Sequence, residues 1–166
     1  TFLVQQTMAL SKNLSADKQV YYSEKIQEND MWSPAVFDKK LQEGADLGAR
    51  MEHAFRCGFE AGYSHIVIVG CDIHELEQEQ LENALKALQT HDFVIGPAKD
   101  GGYYLLGMNQ LKPALFRSKK WGSGTVFADT LKDLENDSLF QLPLKNDIDL
   151  FEDIEGIHVF EQFLTN

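Results

Sequence analysis

The apolar run His65-Ile66-Val67-Ile68-Val69-Gly70 hands an aspartate, Asp72, to the residues that follow it. A second run, Phe93-Val94-Ile95-Gly96, leads to Asp100-Gly101-Gly102-Tyr103, and near the end of the chain stands Asp147-Ile148-Asp149. Buried parallel strands that deliver acidic residues to loops at their C-terminal ends build the crevice in which open α/β sheets bind ligands. Acid pairs beside glycines, with no thiolate or histidine cluster, suit a hard divalent cation, Mg2+ or Mn2+, and a phosphorylated ligand. A carboxylate at Asp72 could hold such a cation while a nucleotide's phosphates complete the coordination. The same residue type also commonly closes a turn or caps the next helix.

Asp147 and Asp149 flank one apolar residue, so in an extended segment they point the same way. Carboxylates so placed repel unless a cation or a proton lies between them. The competing reading is helix capping by Asp149, with Glu152 three residues on. In Asp100-Gly101-Gly102-Tyr103, two glycines permit a close approach of backbone to ligand, although a tight hairpin turn would use the same residues. Tyr103 and Tyr104 either stack on a substrate or alternate into the core. The remaining candidate runs from Gln42 to Arg50. Gly44, Leu47 and Gly48 lie at the entry to a helix whose N–H groups and dipole favour an anion or a polar base edge. Gln42 offers a donor and an acceptor to a base. Arg50 offers a planar fork to phosphate or to a carboxylate such as Asp46. His53, His65, His74, His91 and His158 form no ligand pattern, and no Ser-His-Asp order, Walker loop or dinucleotide fingerprint is present.

Alternating helices and strands must position these groups. Thr1 to Leu14 reads as an amphipathic helix, Gln19 to Ser23 as a short strand and Glu28 to Pro34 as a polar loop. Asp46 to Ala61 has apolar residues at helical spacing, with Gly62 placed to end it. His65 to Gly70 reads as a central strand, Leu76 to Gln89 as a helix with a buried Leu81, Ala84, Leu85 and Leu88 stripe, and Phe93 to Gly96 as the next strand. Gly101-Gly102 signals a turn before a β run over Tyr103 to Gly107, a hairpin-like excursion. Trp121 to Gly124 reads as a flexible loop, after which Ser123 or Thr125 could cap a helix over Val126 to Leu134. Leu139 to Leu144 is a last strand candidate, and a helix is expected near Ile157 to Leu164. A domain of this class that opens on a helix has commonly lost a preceding strand. A strand and its phosphate-binding loop are therefore expected upstream of this numbering.

At 166 residues the chain is long enough for one domain with its own core. A net charge of −11 argues against a nucleic-acid or anionic-membrane surface, but not against a nucleotide, since a divalent cation reverses the local field. No apolar stretch nears the length of a membrane span. Cys57 and Cys71 are not spaced as a metal or redox motif and read as free thiols of a reducing cytoplasm.

Taken together, Gly44-Ala45-Asp46-Leu47-Gly48-Ala49-Arg50-Met51, Val69-Gly70-Cys71-Asp72, Gly96-Pro97-Ala98-Lys99-Asp100-Gly101-Gly102-Tyr103-Tyr104-Leu105-Leu106-Gly107, Phe116 with Trp121, and Asp147-Ile148-Asp149 with Glu152-Asp153 carry a resemblance. They resemble the bacterial radical-SAM/selenodomain-associated transferase 1 family, a former domain of unknown function with a glycosyltransferase-A-like fold. The resemblance implies a three-layer α/β/α domain with a mainly parallel sheet, spanning residues 1–166 and incomplete at its N-terminus. It is related to nucleotide-diphospho-sugar transferases and to small nucleotidyltransferases such as 2-phospholactate guanylyltransferase. It further implies metal binding by Asp72 and by a later acid, Asp149 with Asp147. The loop bearing Gln42, Leu47, Gly48 and Arg50 would face the nucleotide base, and Asp100 to Tyr103 the acceptor. Two features depart from the family. Its usual Lys- and Arg-bearing phosphate loop has no match here, and its Ser-Asp-Cys-Pro is replaced by Cys71-Asp72-Ile73-His74.

The expectation is therefore a metal-dependent transferase. Asp72 and Asp100 would be catalytic, the donor a nucleotide or nucleotide-sugar, and the acceptor a small molecule. The alternative is a non-catalytic binding or scaffold protein that keeps the fold without the phosphate loop.

Overall fold

The computed structural model describes residues 2–71 and 73–146. Asp72, Asp147, Asp149 and the helix expected near Ile157 to Leu164 lie outside them. In chain order the elements are α1 (Phe2–Lys12), β1 (Gln19–Tyr22), β2 (Asp38–Leu41), α2 (Leu47–Glu60), β3 (Ile66–Val69), α3 (Gln78–Ala87), β4 (Phe93–Pro97), β5 (Tyr103–Met108), a 3-10 turn (Pro113–Phe116), α4 (Val126–Asp133) and β6 (Leu139–Gln141). Strand β2, Asp-Lys-Lys-Leu, is the one strand among the described residues that hydrophobic patterning misses, and the 3-10 turn at Pro113–Phe116 is likewise unanticipated. The strand is mostly solvent-exposed and held by a parallel ladder to β1, so its side chains carry no apolar alternation.

The larger sheet has the order β3-β5-β4-β6, and β1-β2 forms a separate parallel pair. Strands β4 and β6 are parallel, whereas β5 runs antiparallel to both β3 and β4. The mainly parallel expectation thus holds for strand direction, while the turn at Gly101-Gly102 folds β5 back between its neighbours. Strand β3, expected at the centre, forms an edge of this sheet among the described residues. Its four apolar residues are half-buried, whereas β4 is buried throughout.

Side chains alternate across the sheet into two cores, as the period of two requires. On one face Val67, Val69, Val94 and Leu105 meet α3 through Leu81, Ala84 and Leu88, with Leu10 and Leu14 of the α1 region alongside. On the other, Ile66, Ile68, Phe93, Ile95, Leu106 and Met108 meet Met51 and Phe55 of α2, Leu115 and Phe116. Helices on both faces of a sheet make the three layers.

One irregularity redirects the chain near the strand ends. Gly96 pairs with Leu105, but Pro97 pairs with Tyr103, so Tyr104 is an extra residue in the β4/β5 ladder. A bulge of this kind shifts the alternation by one. Tyr104 joins the α3 face beside Leu105, its hydroxyl donating to the Pro143 carbonyl at 3.0 Å. Tyr103 is turned to the α2 face.

Candidate functional site

Three loops converge at the C-terminal ends of β3 and β4. After β3, the Gly70 amide donates to the Tyr104 carbonyl at 2.8 Å, and buried Ile73 and Leu76 anchor the residues beyond Asp72. The Gln6 side-chain amide of α1 donates to the His74 carbonyl, which sets the first turns of α1 against this loop.

After β4, Asp100 accepts the Gly102 amide through Oδ1 at 2.7 Å. The turn-closing role is therefore real, and it leaves an exposed carboxylate at the loop tip. Gly101 has φ +87, where a side chain is strained, and a Cβ there would lie 2.2 Å from the Gly124 carbonyl oxygen. The Phe127 amide donates to the Gly101 carbonyl at 2.8 Å. The stretch from Trp121 to Gly124, expected to be flexible, is thus packed backbone against backbone on the Asp100 turn. Thr125 does stand at the N-cap of α4, though its side chain caps no backbone amide.

The third loop leads toward Asp147. Lys145 bridges to Ala98 in parallel, its amide donating to the Pro97 carbonyl at 3.0 Å and its carbonyl accepting from Lys99 at 3.0 Å. The Lys145 ammonium donates to the Glu75 carbonyl at 2.9 Å. One residue therefore ties together the approach to Asp147, the turn carrying Asp100 and the loop that follows Asp72. The flanks of all three acidic segments share one side of the sheet. Among the described residues no three His, Cys, Asp or Glu side chains are grouped to hold a metal, and the nominated ligands Asp72, Asp147 and Asp149 lie outside that set.

The expected base loop is built differently from a free reading head. Gln42 donates to the Tyr21 carbonyl at 3.4 Å and accepts from Arg50 Nη1 at 3.2 Å, while Arg50 Nε donates to the Gly44 carbonyl at 3.2 Å. Arg50 does not reach the Asp46 carboxylate. Asp46 caps α2 by accepting the Ala49 amide at 2.8 Å, satisfying a donor the helix leaves free. Leu47, in the first turn, is 53% exposed. Gly48 is buried because an indole covers it, so a Cβ there would fall 2.4 Å from Trp121 Nε1.

Trp121, which the sequence placed in a flexible loop and among the residues that carry the resemblance without giving it a role, lies between the Gln42–Arg50 segment and the Asp100 turn. Its ring meets Tyr103 edge-on, with centroids 6.5 Å apart and planes at 85°. Its loop position gave no periodic signal, and the flanking glycines suggested mobility. The Tyr103 hydroxyl is buried and has no hydrogen-bond partner among the described residues. Burial raises its pKa above the usual phenol range, so it remains a protonated donor.

Comparison with known proteins agrees with this architecture. A segment of 66 residues is 39% identical to 3-phospho-D-glycerate guanylyltransferase of Phenylobacterium zucineum (strain HLK1), covering 36% of this chain and 30% of that protein. The chain thus spans less than a third of that relative. A crystal structure from Desulfovibrio desulfuricans G20, provisionally named a nucleotide-diphospho-sugar transferase, superimposes with a TM-score of 0.79 at 31% identity. That match covers 95% of this chain and 75% of the other. The fold is that of the nucleotide-diphospho-sugar transferases. No described helix is long and apolar enough to cross a membrane. Residues 6–123 match the family described as an uncharacterized protein conserved in bacteria (DUF2064), and the chain belongs to that family.

Proposed function

We propose that this domain is a metal-dependent transferase that moves a glycosyl or nucleotidyl group from a nucleotide-activated donor to a small acceptor. The observation that carries the reading is the threefold tie made by Lys145, which gathers the flanks of Asp72, Asp100 and Asp147. Asp72, Asp149 and Asp147 would hold Mg2+ or Mn2+, since hard carboxylate oxygens suit those ions. Bound there, the cation supplies neutralisation of charge on the donor phosphates. Asp100, with Oδ1 committed to its turn, has its other oxygen to orient or accept the proton of an acceptor hydroxyl. Gln42 and Arg50, locked to each other, form with Leu47 and Gly48 a rigid edge on the nucleotide side; Asp100 to Tyr103 form the acceptor side.

Within this reading the 3-phospho-D-glycerate guanylyltransferase segment favours nucleotidyl transfer, and the resemblance to the radical-SAM/selenodomain-associated transferase 1 family favours a transferase of either kind. Incubation with Mn2+, 3-phospho-D-glycerate and a panel of nucleoside triphosphates and nucleotide-sugars separates the two. Pyrophosphate release reports nucleotidyl transfer, and nucleoside diphosphate release reports glycosyl transfer. Release of neither from the full-length protein favours the non-catalytic scaffold instead.

We further propose that the domain is completed by one strand between β1 and β3, supplied by residues outside this sequence. Each of those strands pairs on one edge only among the described residues, and both are half-buried. Helix α2 packs on β3, and its Cys57 lies near Tyr21 of β1. Gly58 packs on Ile66, and Tyr21 has its pKa raised by burial, then by the neighbouring Cys57 and Asp38. Tyr63 donates to Asp17 at 2.8 Å, joining the approaches to the two strands. In the full-length protein the amides of Ile66 to Val69 should then exchange with deuterium as slowly as those of β4. Exchange at edge-strand rates there refutes the placement.

A further inference from the structure

Lys99 and Lys145 stand where the proposed reaction gathers carboxylates, yet neither is neutralised by one. Their backbones are bonded together at the C-terminal end of β4. The Lys99 amide donates to the Lys145 carbonyl at 3.0 Å, and the Lys145 amide donates to the Pro97 carbonyl at 3.0 Å. Two cations are thus held side by side in a chain whose net charge is −11. The ion pairs among the described residues engage other lysines and arginines and leave these two out. Asp100, next to Lys99 in sequence, turns its Oδ1 to the Gly102 amide instead.

The Lys145 ammonium is half-buried and aimed by its bond to the Glu75 carbonyl at 2.9 Å, three residues beyond Asp72. That partner is neutral, so the bond fixes the charge in place without cancelling it. An ammonium carries three donors, and two remain. Lys99 is exposed, and its side chain makes no hydrogen bond among the described residues. Holding the loops together would need only an uncharged donor at position 145 and nothing charged at position 99. The charges themselves matter for a ligand. An acceptor with its own negative charge is repelled by Asp100 and by the acids nominated as metal ligands, and two cations beside the turn offset that repulsion. A neutral acceptor has no need of them.

We infer that Lys145 and Lys99 are specificity-determining residues that select an acceptor carrying an anionic group, a phosphoryl or a carboxylate. The inference rests on the transferase reading above. Lys145, anchored to the Glu75 carbonyl, offers charge-assisted hydrogen bonds of set direction. Lys99, unanchored and exposed, adds attraction through solvent. A compact ammonium makes no bidentate demand, so either anion satisfies it.

The test uses the full-length protein with Mn2+, GTP and two acceptors that differ in charge, 3-phospho-D-glycerate and glycerol. Transfer should reach the first and not the second. Lys145→Gln keeps a donor for the Glu75 carbonyl and removes the charge. It should raise KM for 3-phospho-D-glycerate by roughly tenfold, the scale of one hydrogen bond to a charged group. KM for GTP should stay the same, and Lys145→Arg should recover most of the loss. Lys99→Gln breaks no side-chain contact of the fold, and should raise the same KM by roughly two- to fivefold, the scale of an exposed ion pair. Calorimetric titration of 3-phospho-D-glycerate should show the same ranking without requiring turnover. Transfer with unchanged acceptor KM in both Gln variants, or equal transfer to glycerol, overturns the inference and leaves the transferase reading standing. A rise in KM that Lys145→Arg does not recover, with Lys99→Gln silent, marks Lys145 as a structural tie and overturns it too. Binding that both Gln variants weaken, without any transfer, retains the anion subsite and removes the transferase reading. Neither transfer nor binding overturns both.

Discussion

Asp72→Ala is expected to lower kcat/KM for metal-dependent transfer by roughly 10²–10³-fold or more, the scale set by removing one group that stabilises charge in a transition state. The same substitution should abolish the stabilisation that nucleotide with Mn2+ confers. For a ligand at about a hundred times its Kd, that stabilisation is about 2.7 kcal/mol. On the proposed reading the ligand-free protein should melt at an unchanged or slightly higher temperature, because a carboxylate that shares a cation site with other carboxylates repels them when the cation is absent. Differential scanning fluorimetry with and without Mn2+ and nucleotide reads both arms. An undiminished ligand-induced shift would remove Asp72 from the site, and the convergence of the acidic loops would then need another purpose.

Gly101→Ala should be the most damaging single-methyl change in the described site. The new Cβ would sit 2.2 Å from the Gly124 carbonyl oxygen and 2.6 Å from its carbonyl carbon, at φ +87. Both neighbours are backbone, so relief requires moving a loop rather than rotating a side chain. Backbone strain of about 1–2 kcal/mol adds to an overpacking cost of about 1–3 kcal/mol. For a chain of this size the combined effect lowers Tm by roughly 5–15 °C. Gly62→Ala is the control, since Gly62 shares a positive φ of +95 but has nothing within 4 Å of the added atom. It should show the backbone part alone, a drop of a few degrees. Equal effects at the two positions would mean that the Gly101–Gly124 contact does not constrain the site. If it does, Gly101→Ala should also raise the acceptor KM by displacing Asp100 and Trp121 together.

Much of the architecture was legible because it depends on local pattern. The apolar runs over Ile66–Val69 and Phe93–Pro97 and the helical stripes of α2 and α3 reflect periods of 2 and 3.6 that any buried strand or amphipathic helix must show. Asp46 before α2 and the turn at Gly101 follow from capping and from positive φ, again local requirements. Strand β2 escaped notice because an exposed edge strand needs no apolar alternation, only a ladder partner. Arg50 reads from the sequence as a fork for phosphate or for a carboxylate such as Asp46, yet that carboxylate is engaged as a helix cap. The guanidinium found Gln42 and Gly44 across the loop instead.

By itself the sequence determined an α/β domain whose strands end in acidic, glycine-bearing loops, because burial and backbone permission are written residue by residue. Only the tertiary structure decided how those loops meet. Lys145 joins three of them, by two backbone hydrogen bonds and by its ammonium group, in a way that no spacing rule anticipates. A one-residue bulge decides which face Tyr103 occupies, and an absent side chain at Gly48 decides where Trp121 can lie. Contacts between residues far apart in the chain depend on how sheets and helices pack, and packing is a property of the assembled layers rather than of any one segment.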